Sequence, residues 1–303
     1  MEKDNKALIF NKVHGSFVDG YGVRTTIFLK GCPLKCIWCC NPEGQSFEPE
    51  LRLLAERCNG CGLCEDECPK KAISIVDRQA VVDRTLCDAC MKCINVCYTD
   101  ALLPFGEWMS VDEIYEYIKK DIKYYQTTGG GLTIGGGEAT CYPEFVSELI
   151  DRCHKDRIPV AIDTCGYMVS QKGMECLKKA DLILFDIKGI DDTLHKKNTG
   201  VSNRPILETL RKLADLRKPV IIRLPLIPGY NDTMEKLQEV AELILHYPNI
   251  ERLDILPFHD FGKSKYAELG KSYELKIEYI LNEKLEEIKA YFTEKGINTQ
   301  LGG

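Results

Sequence analysis

The stretch Thr25-Thr26-Ile27-Phe28-Leu29-Lys30-Gly31-Cys32-Pro33-Leu34-Lys35-Cys36-Ile37-Trp38-Cys39 joins an apolar, β-branched run to a loop with three cysteines. The run Thr25–Leu29 has the composition of a strand. The cysteines after it are spaced by three and then two residues, and no fourth completes the set. Cys40 stands at the same first gap from Cys36, but no cysteine follows three residues on, so the register is Cys32, Cys36 and Cys39. A four-iron cubane normally takes four thiolates. Three thiolates leave one iron with an open position, and an open position is where a metal does chemistry rather than only holding structure. A loop with Pro33 and Trp38 directly after a strand reads as such a site rather than as a chance group of buried thiols.

Outward from this loop, strand-like and helix-like segments alternate. Apolar runs recur at Thr25–Leu29, Leu132–Ile134, Val160–Ile162, Leu182–Ile187, Val220–Leu224 and Leu253–Leu256. Between them, helical periodicity appears at Val111–Tyr125, Pro143–His154, Gln171–Lys179, Pro205–Leu216 and Thr233–Leu245, with a last helix over Leu275–Lys295. Six strand-then-helix units predict an α/β fold with a parallel sheet. Right-handed crossovers would curl that sheet into a partial (β/α)6 barrel; closure needs eight units. Residues 51–107 break the alternation and read as an insertion between the first strand and the first helix. This divides the chain into a barrel of residues 1–50 and 108–303 and an insert. Chemistry in such sheets gathers at the carboxyl ends of strands. There the sequence places the Cys32 loop, Gly135-Gly136-Gly137-Glu138, Asp163-Thr164-Cys165-Gly166, Asp186-Ile187-Lys188, Arg223, and Pro257-Phe258-His259.

The insert holds two further cysteine runs. Cys58, Cys61, Cys64 and Cys68-Pro69 are followed by Cys87, Cys90, Cys93 and Cys97 at the same spacing. Each run has the bacterial ferredoxin pattern, in which the fourth cysteine ligates the other cluster. The expected sets are therefore Cys58, Cys61, Cys64 and Cys97 for one four-iron cluster, and Cys87, Cys90, Cys93 and Cys68 for the other. Tyr98 stands where the pattern has proline; this removes no ligand. Zinc is the rival metal for paired cysteines, but two successive runs of four suit cubanes better. No export signal is read in Met1-Glu2-Lys3-Asp4-Asn5-Lys6, so metal ligation is favoured over disulfides. The chain has 303 residues, and its net charge of −6 argues against nucleic acid as a partner. No apolar run is long enough to span a membrane. The expected compartment is the cytoplasm of an anaerobe, because exposed low-potential clusters are damaged by oxygen.

The three-cysteine spacing resembles that of the radical S-adenosylmethionine (SAM) enzymes. The resemblance implies that the open iron chelates the amino and carboxylate groups of SAM, and that one electron then breaks a C–S bond to leave a 5′-deoxyadenosyl radical. Gly136-Gly137-Glu138 is similar to that family's Gly-Gly-Glu-Pro element for the SAM amino group, with Ala139 in place of proline. Asp163-Thr164-Cys165-Gly166, Asp186-Ile187-Lys188 and Asp19-Gly20-Tyr21-Gly22 resemble motifs of one subfamily, the glycyl radical enzyme activating enzymes. By that resemblance Asp163, Thr164 and Asp186 bind a monovalent cation (sodium or potassium). Lys188, Arg223 and His259 then contact SAM, with Trp38 also facing the cofactor. Asp19 orients the glycine loop of a partner enzyme; Tyr21 replaces the proline usual in that turn.

The implied function is activation of a glycyl radical enzyme by hydrogen abstraction from a backbone glycine, with three four-iron clusters, SAM, and reduced flavodoxin or ferredoxin as electron donor. Two other readings stay open from sequence. One is a radical SAM enzyme acting on a small molecule or peptide. The other is an electron carrier, for which the ferredoxin runs alone suffice.

Overall fold

The computed structural model describes residues 5–168 and 170–302. The chain opens with β1 (Lys6–Ser16) and β2 (Arg24–Leu29). An excursion follows, with β3 (Glu50–Leu53), α1 (Leu63–Glu67), β4 (Ile73–Val76), β5 (Gln79–Val82) and β6 (Leu102–Phe105). The chain returns through β7 (Glu107–Ser110), α2 (Val111–Ile118), α3 (Ile122–Thr128) and β8 (Gly131–Gly136). It then alternates through α4 (Pro143–Lys155), β9 (Val160–Thr164), α5 (Gln171–Lys179) and β10 (Leu182–Asp186). The last part holds α6 (Asp192–Thr199), α7 (Arg204–Asp215), β11 (Val220–Leu226), α8 (Met234–His246), β12 (Ile250–Pro257), α9 (Lys263–Glu268), α10 (Asn282–Glu294) and β13 (Thr299–Leu301).

One sheet carries nine strands in the order β13-β12-β11-β10-β9-β8-β2-β1-β7. β2 and β8 to β12 are parallel and lie in chain order, the arrangement that six strand–helix units require. Crossovers of one hand in one direction put the helices on one face and curl the sheet the other way. The edges do not meet. β13 extends one edge in parallel, and the antiparallel pair β1 and β7 extends the other. The sequence reading did not include these three strands.

Side chains alternate between the two faces of each strand. Ile162, Ile183, Phe185 and Ile222 enter the core under the helices, where each fully buried side chain contributes roughly 1.5–3 kcal/mol. Ala161, Leu182, Leu184 and Ile221 form a separate cluster on the opposite, inner face. Farther along the same face, period two brings Asp163, Asp186 and Arg223 to the carboxyl ends. The inside of the barrel is therefore apolar below and charged above.

The helical stretch expected as one piece from Val111 to Tyr125 is broken. A capping box of Ser110 and Glu113 starts α2. A 3-10 turn at Lys119–Asp121 then lets the Asp121 carboxylate accept from Thr25 Oγ1 at 2.5 Å, and Tyr125 Oη donate to Ile118 O at 2.9 Å. The last helix begins at Asn282, later than the expected Leu275. Leu275 and Ile277 alternate along a strap without helix and pack against the cluster around the cysteine loop. That tertiary contact outweighs the local helical preference of the segment.

The excursion is closed at its neck by antiparallel pairing of β3 with β6. Its β4–β5 hairpin turns through Asp77 and Arg78, both left-handed, as a two-residue hairpin turn requires.

Candidate active site

The Cys32 loop is pinned from three sides. Gly31 N donates to Gly44 O at 2.8 Å, and Cys32 N to Gln45 O at 3.3 Å. Lys35 N and Ile37 N donate to Thr199 O and Asn198 O, at 2.7 and 3.0 Å, so the last carbonyls of α6 hold the loop. Gly137 N and Glu138 N donate to Leu29 O and Gly31 O, at 2.6 and 2.8 Å. A Cβ on Gly137 would lie 2.4 Å from Gly31 O, so only glycine allows this approach.

A cavity of about 260 Å³ opens beside the loop at the carboxyl ends of the strands. Cys32, Cys36, Trp38 and Cys39 line it together with Gly136, Gly137, Asp19, Asp163, Thr164, Asp186, Lys188, Arg223 and His259. Thus nearly every residue singled out from the sequence for the three-cysteine site meets at one place. Glu138 does not line it. Its carboxylate is fully buried and accepts from Thr140 N (3.0 Å), Thr140 Oγ1 (2.7 Å), Thr164 Oγ1 (2.8 Å) and Cys165 N (2.8 Å). It ties the glycine turn after β8 to the end of β9.

Asp19 reaches the cavity from the β1–β2 connection. Its Oδ2 accepts from Ser16 Oγ at 2.6 Å and Thr26 Oγ1 at 2.7 Å, and its Oδ1 lies 3.6 Å from Arg223 Nη1. Arg223 Nη1 donates to Asp163 Oδ2 at 3.1 Å, and Lys188 Nζ to Asp186 Oδ2 at 2.7 Å. Three carboxylates thus face two cations. Burial pushes the Asp163 carboxyl up to about 7; Arg223 opposes the rise, and Asp186 and Asp19 add to it. Burial acts to lower Arg223 and Lys188, but the carboxylates around them prevail and raise both. Burial lowers the His259 imidazole. Its ring stacks on Phe261 with centroids 4.5 Å apart. Asp163 Oδ1, Arg223 Nε and His259 Nδ1 are buried with no hydrogen-bond partner among the described residues. Unpaired buried polar groups are costly, and these three belong to side chains that line one cavity. The residues therefore fit a polar, charged ligand there.

In the excursion, Cys58, Cys61, Cys64 and Cys97 surround one small cavity. Cys68, Cys87, Cys90 and Cys93 surround another. The fourth cysteine of each run stands with the first three of the other. Among the described residues, no three His, Cys, Asp or Glu side chains converge as they would on a single ion. A structural zinc would gather its sulfurs about 2.3 Å from one point, whereas a cubane binds each thiolate at a separate iron.

A profile of the radical SAM superfamily matches residues 90–244, and one of the 4Fe-4S dicluster domain matches residues 50–98. The trans-4-hydroxy-L-proline dehydratase activating enzyme of Clostridioides difficile is 40% identical over 98% of this chain and 99% of its own. The chain belongs to the radical SAM glycyl radical enzyme activating enzymes. A second relative, the (2S)-3-sulfopropanediol sulfolyase activating enzyme of Bilophila wadsworthia, is 40% identical over 91% of this chain and 92% of its own. The crystal structure of Streptococcus suis SuiB bound to precursor peptide SuiA superposes with a TM-score of 0.55. It covers 90% of this chain and 46% of that one at 15% identity, and shares the fold.

As a radical SAM activating enzyme with a dicluster domain, the protein uses SAM and iron–sulfur clusters. Among its described residues, no helix is long and apolar enough to cross a membrane. Sequence reasoning missed Asn198 and Thr199, whose carbonyls position the three-cysteine loop of this activating enzyme; a backbone contact between distant segments leaves no side-chain signature. It also missed Tyr266, whose hydroxyl donates to Cys39 O at 3.1 Å.

Proposed function

We propose that this activating enzyme converts a partner glycyl radical enzyme to its active form by abstracting a hydrogen atom from one backbone glycine. Cys32, Cys36 and Cys39 hold the cluster that works with SAM. Cys58, Cys61, Cys64 and Cys97 hold a second cluster, and Cys68, Cys87, Cys90 and Cys93 a third. When bound, the first cluster supplies one electron to the SAM sulfonium, giving methionine and the hydrogen-abstracting 5′-deoxyadenosyl group. Reduced ferredoxin or flavodoxin delivers that electron, in the cytoplasm. The division of the chain at residues 51 and 107 separates the SAM site from the two-cluster insert.

The observation that carries this reading is the set of three unpartnered buried atoms, Asp163 Oδ1, Arg223 Nε and His259 Nδ1, on residues lining the cavity of the three-cysteine loop. Arg223 and Lys188 offer donors to the SAM carboxylate, and His259 offers Nδ1 to a ribose hydroxyl. Gly136 and Gly137 let the ligand approach backbone, and Trp38, edge-on to Tyr230 at 5.8 Å, closes the apolar side. Asp163, Thr164 and Asp186 hold a sodium or potassium ion. The excess of carboxylate over cationic side chains favours both that ion and a sulfonium ligand. Asp19, fixed by Ser16, Thr26 and Arg223, orients the glycine backbone of the partner.

The test is anaerobic reconstitution with SAM, photoreduced deazaflavin and a candidate partner. The first candidate is a trans-4-hydroxy-L-proline dehydratase, the enzyme in the printed name of one relative. Sulfopropanediol sulfolyase, 4-hydroxyphenylacetate decarboxylase and choline trimethylamine-lyase, taken from other relatives' names, complete the panel. The expected result is an EPR doublet of a glycyl radical on one of them, with one 5′-deoxyadenosine per radical. SAM cleavage that yields no protein radical with any of the four refutes the proposal.

A further inference from the structure

The two four-cysteine sites of the insert are joined to the barrel unequally. Cys68, Cys87, Cys90 and Cys93 share their cavity with Leu51, and the carbonyl of Leu51 accepts from Arg84 Nη1. Arg84 lies three residues before Cys87. Its Nη2 donates to Glu268 O at 2.9 Å, at the end of α9. Arg52 Nε pairs with Glu268 Oε2 at 2.6 Å. The other side of the same short helix grips the three-cysteine loop. Tyr266 Oη donates to Cys39 O at 3.1 Å, and Lys265 Nζ donates to Asn41 Oδ1 at 2.8 Å and Glu43 Oε1 at 2.6 Å. Glycines permit the close fit at both ends. A Cβ on Gly262 would lie 2.7 Å from Cys40 O, and one on Gly270 would lie 3.1 Å from Arg84 Nε. By contrast, among the described residues, the hydrogen bonds of those around Cys58, Cys61, Cys64 and Cys97 stay inside the insert.

We propose that the site of Cys68, Cys87, Cys90 and Cys93 is the immediate electron donor to the three-cysteine site, and that α9, through Arg84, Glu268 and Tyr266, is the bridge between them. This rests on the reading given under Proposed function. Electronic coupling falls steeply through empty space and less steeply through covalent and hydrogen bonds. The bonded route from Cys87 through Arg84 and Glu268 O to Tyr266 and Cys39 O serves one insert site and not the other. The step moves one electron: the inner site is oxidised by one unit and the three-cysteine site reduced by one unit, with no proton or bond transferred. A reduced ferredoxin or flavodoxin docking on the insert restores the inner site. Cys90 and Cys61 are both exposed there.

The experiment uses reconstituted full-length protein and two reductants. Reduced flavodoxin is too large to enter the cavity, whereas photoreduced deazaflavin is small. Freeze-quench EPR follows the SAM-perturbed signal of the three-cysteine centre. Tyr266→Phe is expected to keep its iron content, its midpoint potentials and its deazaflavin reduction, and to lose most of the flavodoxin-driven rate. Cys87→Ala is expected to lose about four irons per chain and with them the flavodoxin-driven reduction of the three-cysteine centre. Wild-type flavodoxin-driven rates in either variant overturn the proposal. So does an equal loss with both reductants in Tyr266→Phe, which would place the defect in the loop itself. Failure of the underlying function looks different: wild-type protein reduced by deazaflavin would then give no glycyl radical.

Discussion

Replacing Glu138 by glutamine separates a structural role for this residue from direct contact with SAM. Its Oε1 accepts from Thr140 N, Thr140 Oγ1 and Thr164 Oγ1, and its Oε2 accepts from Cys165 N. The glutamine oxygen can keep only one of these positions. With the oxygen at Oε1, the new NH2 group faces Cys165 N–H, and a buried backbone donor is left unpaired at about 1–3 kcal/mol. The three remaining bonds lose their charge assistance, together worth about another 1–3 kcal/mol. Relief of the desolvation of a buried carboxylate offsets part of this. The net loss is about 2–5 kcal/mol, which for a chain of this size lowers Tm by roughly 3–8 °C. Anaerobic calorimetry on reconstituted protein reads the shift, and EPR of the three-cysteine centre reads SAM binding. The expected outcome is a lowered Tm together with weakened SAM perturbation, because the turn that wraps Gly31 loosens. An unchanged Tm with SAM perturbation abolished refutes the reasoning, since the carboxylate would then touch SAM instead of the protein.

Gly137→Ala drives a Cβ to 2.4 Å from Gly31 O and 2.5 Å from Gly44 O, so the cysteine loop must move. Iron analysis is expected to fall from about twelve to about eight per chain, with the insert signals intact; twelve irons would refute the close approach. Cys58→Ala and Cys97→Ala empty the same cavity, so their double variant is expected to lose no more iron than either alone. Cys58→Ala combined with Cys68→Ala loses two clusters. Additive loss for Cys58 with Cys97 would mean that each run closes on itself. The Asp163 carboxyl, raised to about 7 by burial, must ionise to bind a cation. Potassium affinity, followed by its effect on Tm, is therefore expected to fall as pH drops through about 7, and Asp163→Asn to abolish both the affinity and its pH dependence. The sign for folding is opposite. A carboxyl raised above its unfolded value of 3.8 subtracts stability above about pH 7, and the penalty disappears as pH falls toward that value. Arg223→Met removes the opposing charge, so the midpoint of potassium binding moves to higher pH; an unmoved midpoint would show that the pair is not coupled.

The sequence alone determined the six parallel strands and their order, because period-two and period-3.6 patterns are local. Spacing alone likewise brought each charged strand end to one rim. The three-cysteine loop was legible for the same reason, since its residues are contiguous in the chain. Tertiary structure decided what depends on partners far apart in sequence. The edge strands β1, β7 and β13 exist only by pairing with the sheet. The segment before Asn282 gives up helix to lay Leu275 and Ile277 against the three-cysteine loop. Glu138 sits in the family's motif, yet its four bonds point into the protein and away from the cavity. The joining of one insert site, and not the other, to Cys39 arises from α9, a six-residue helix with no motif of its own. Hydrogen bonds such as that from Tyr266 to a backbone carbonyl are set by where the folded chain brings a donor, and a carbonyl has the same chemistry at every residue.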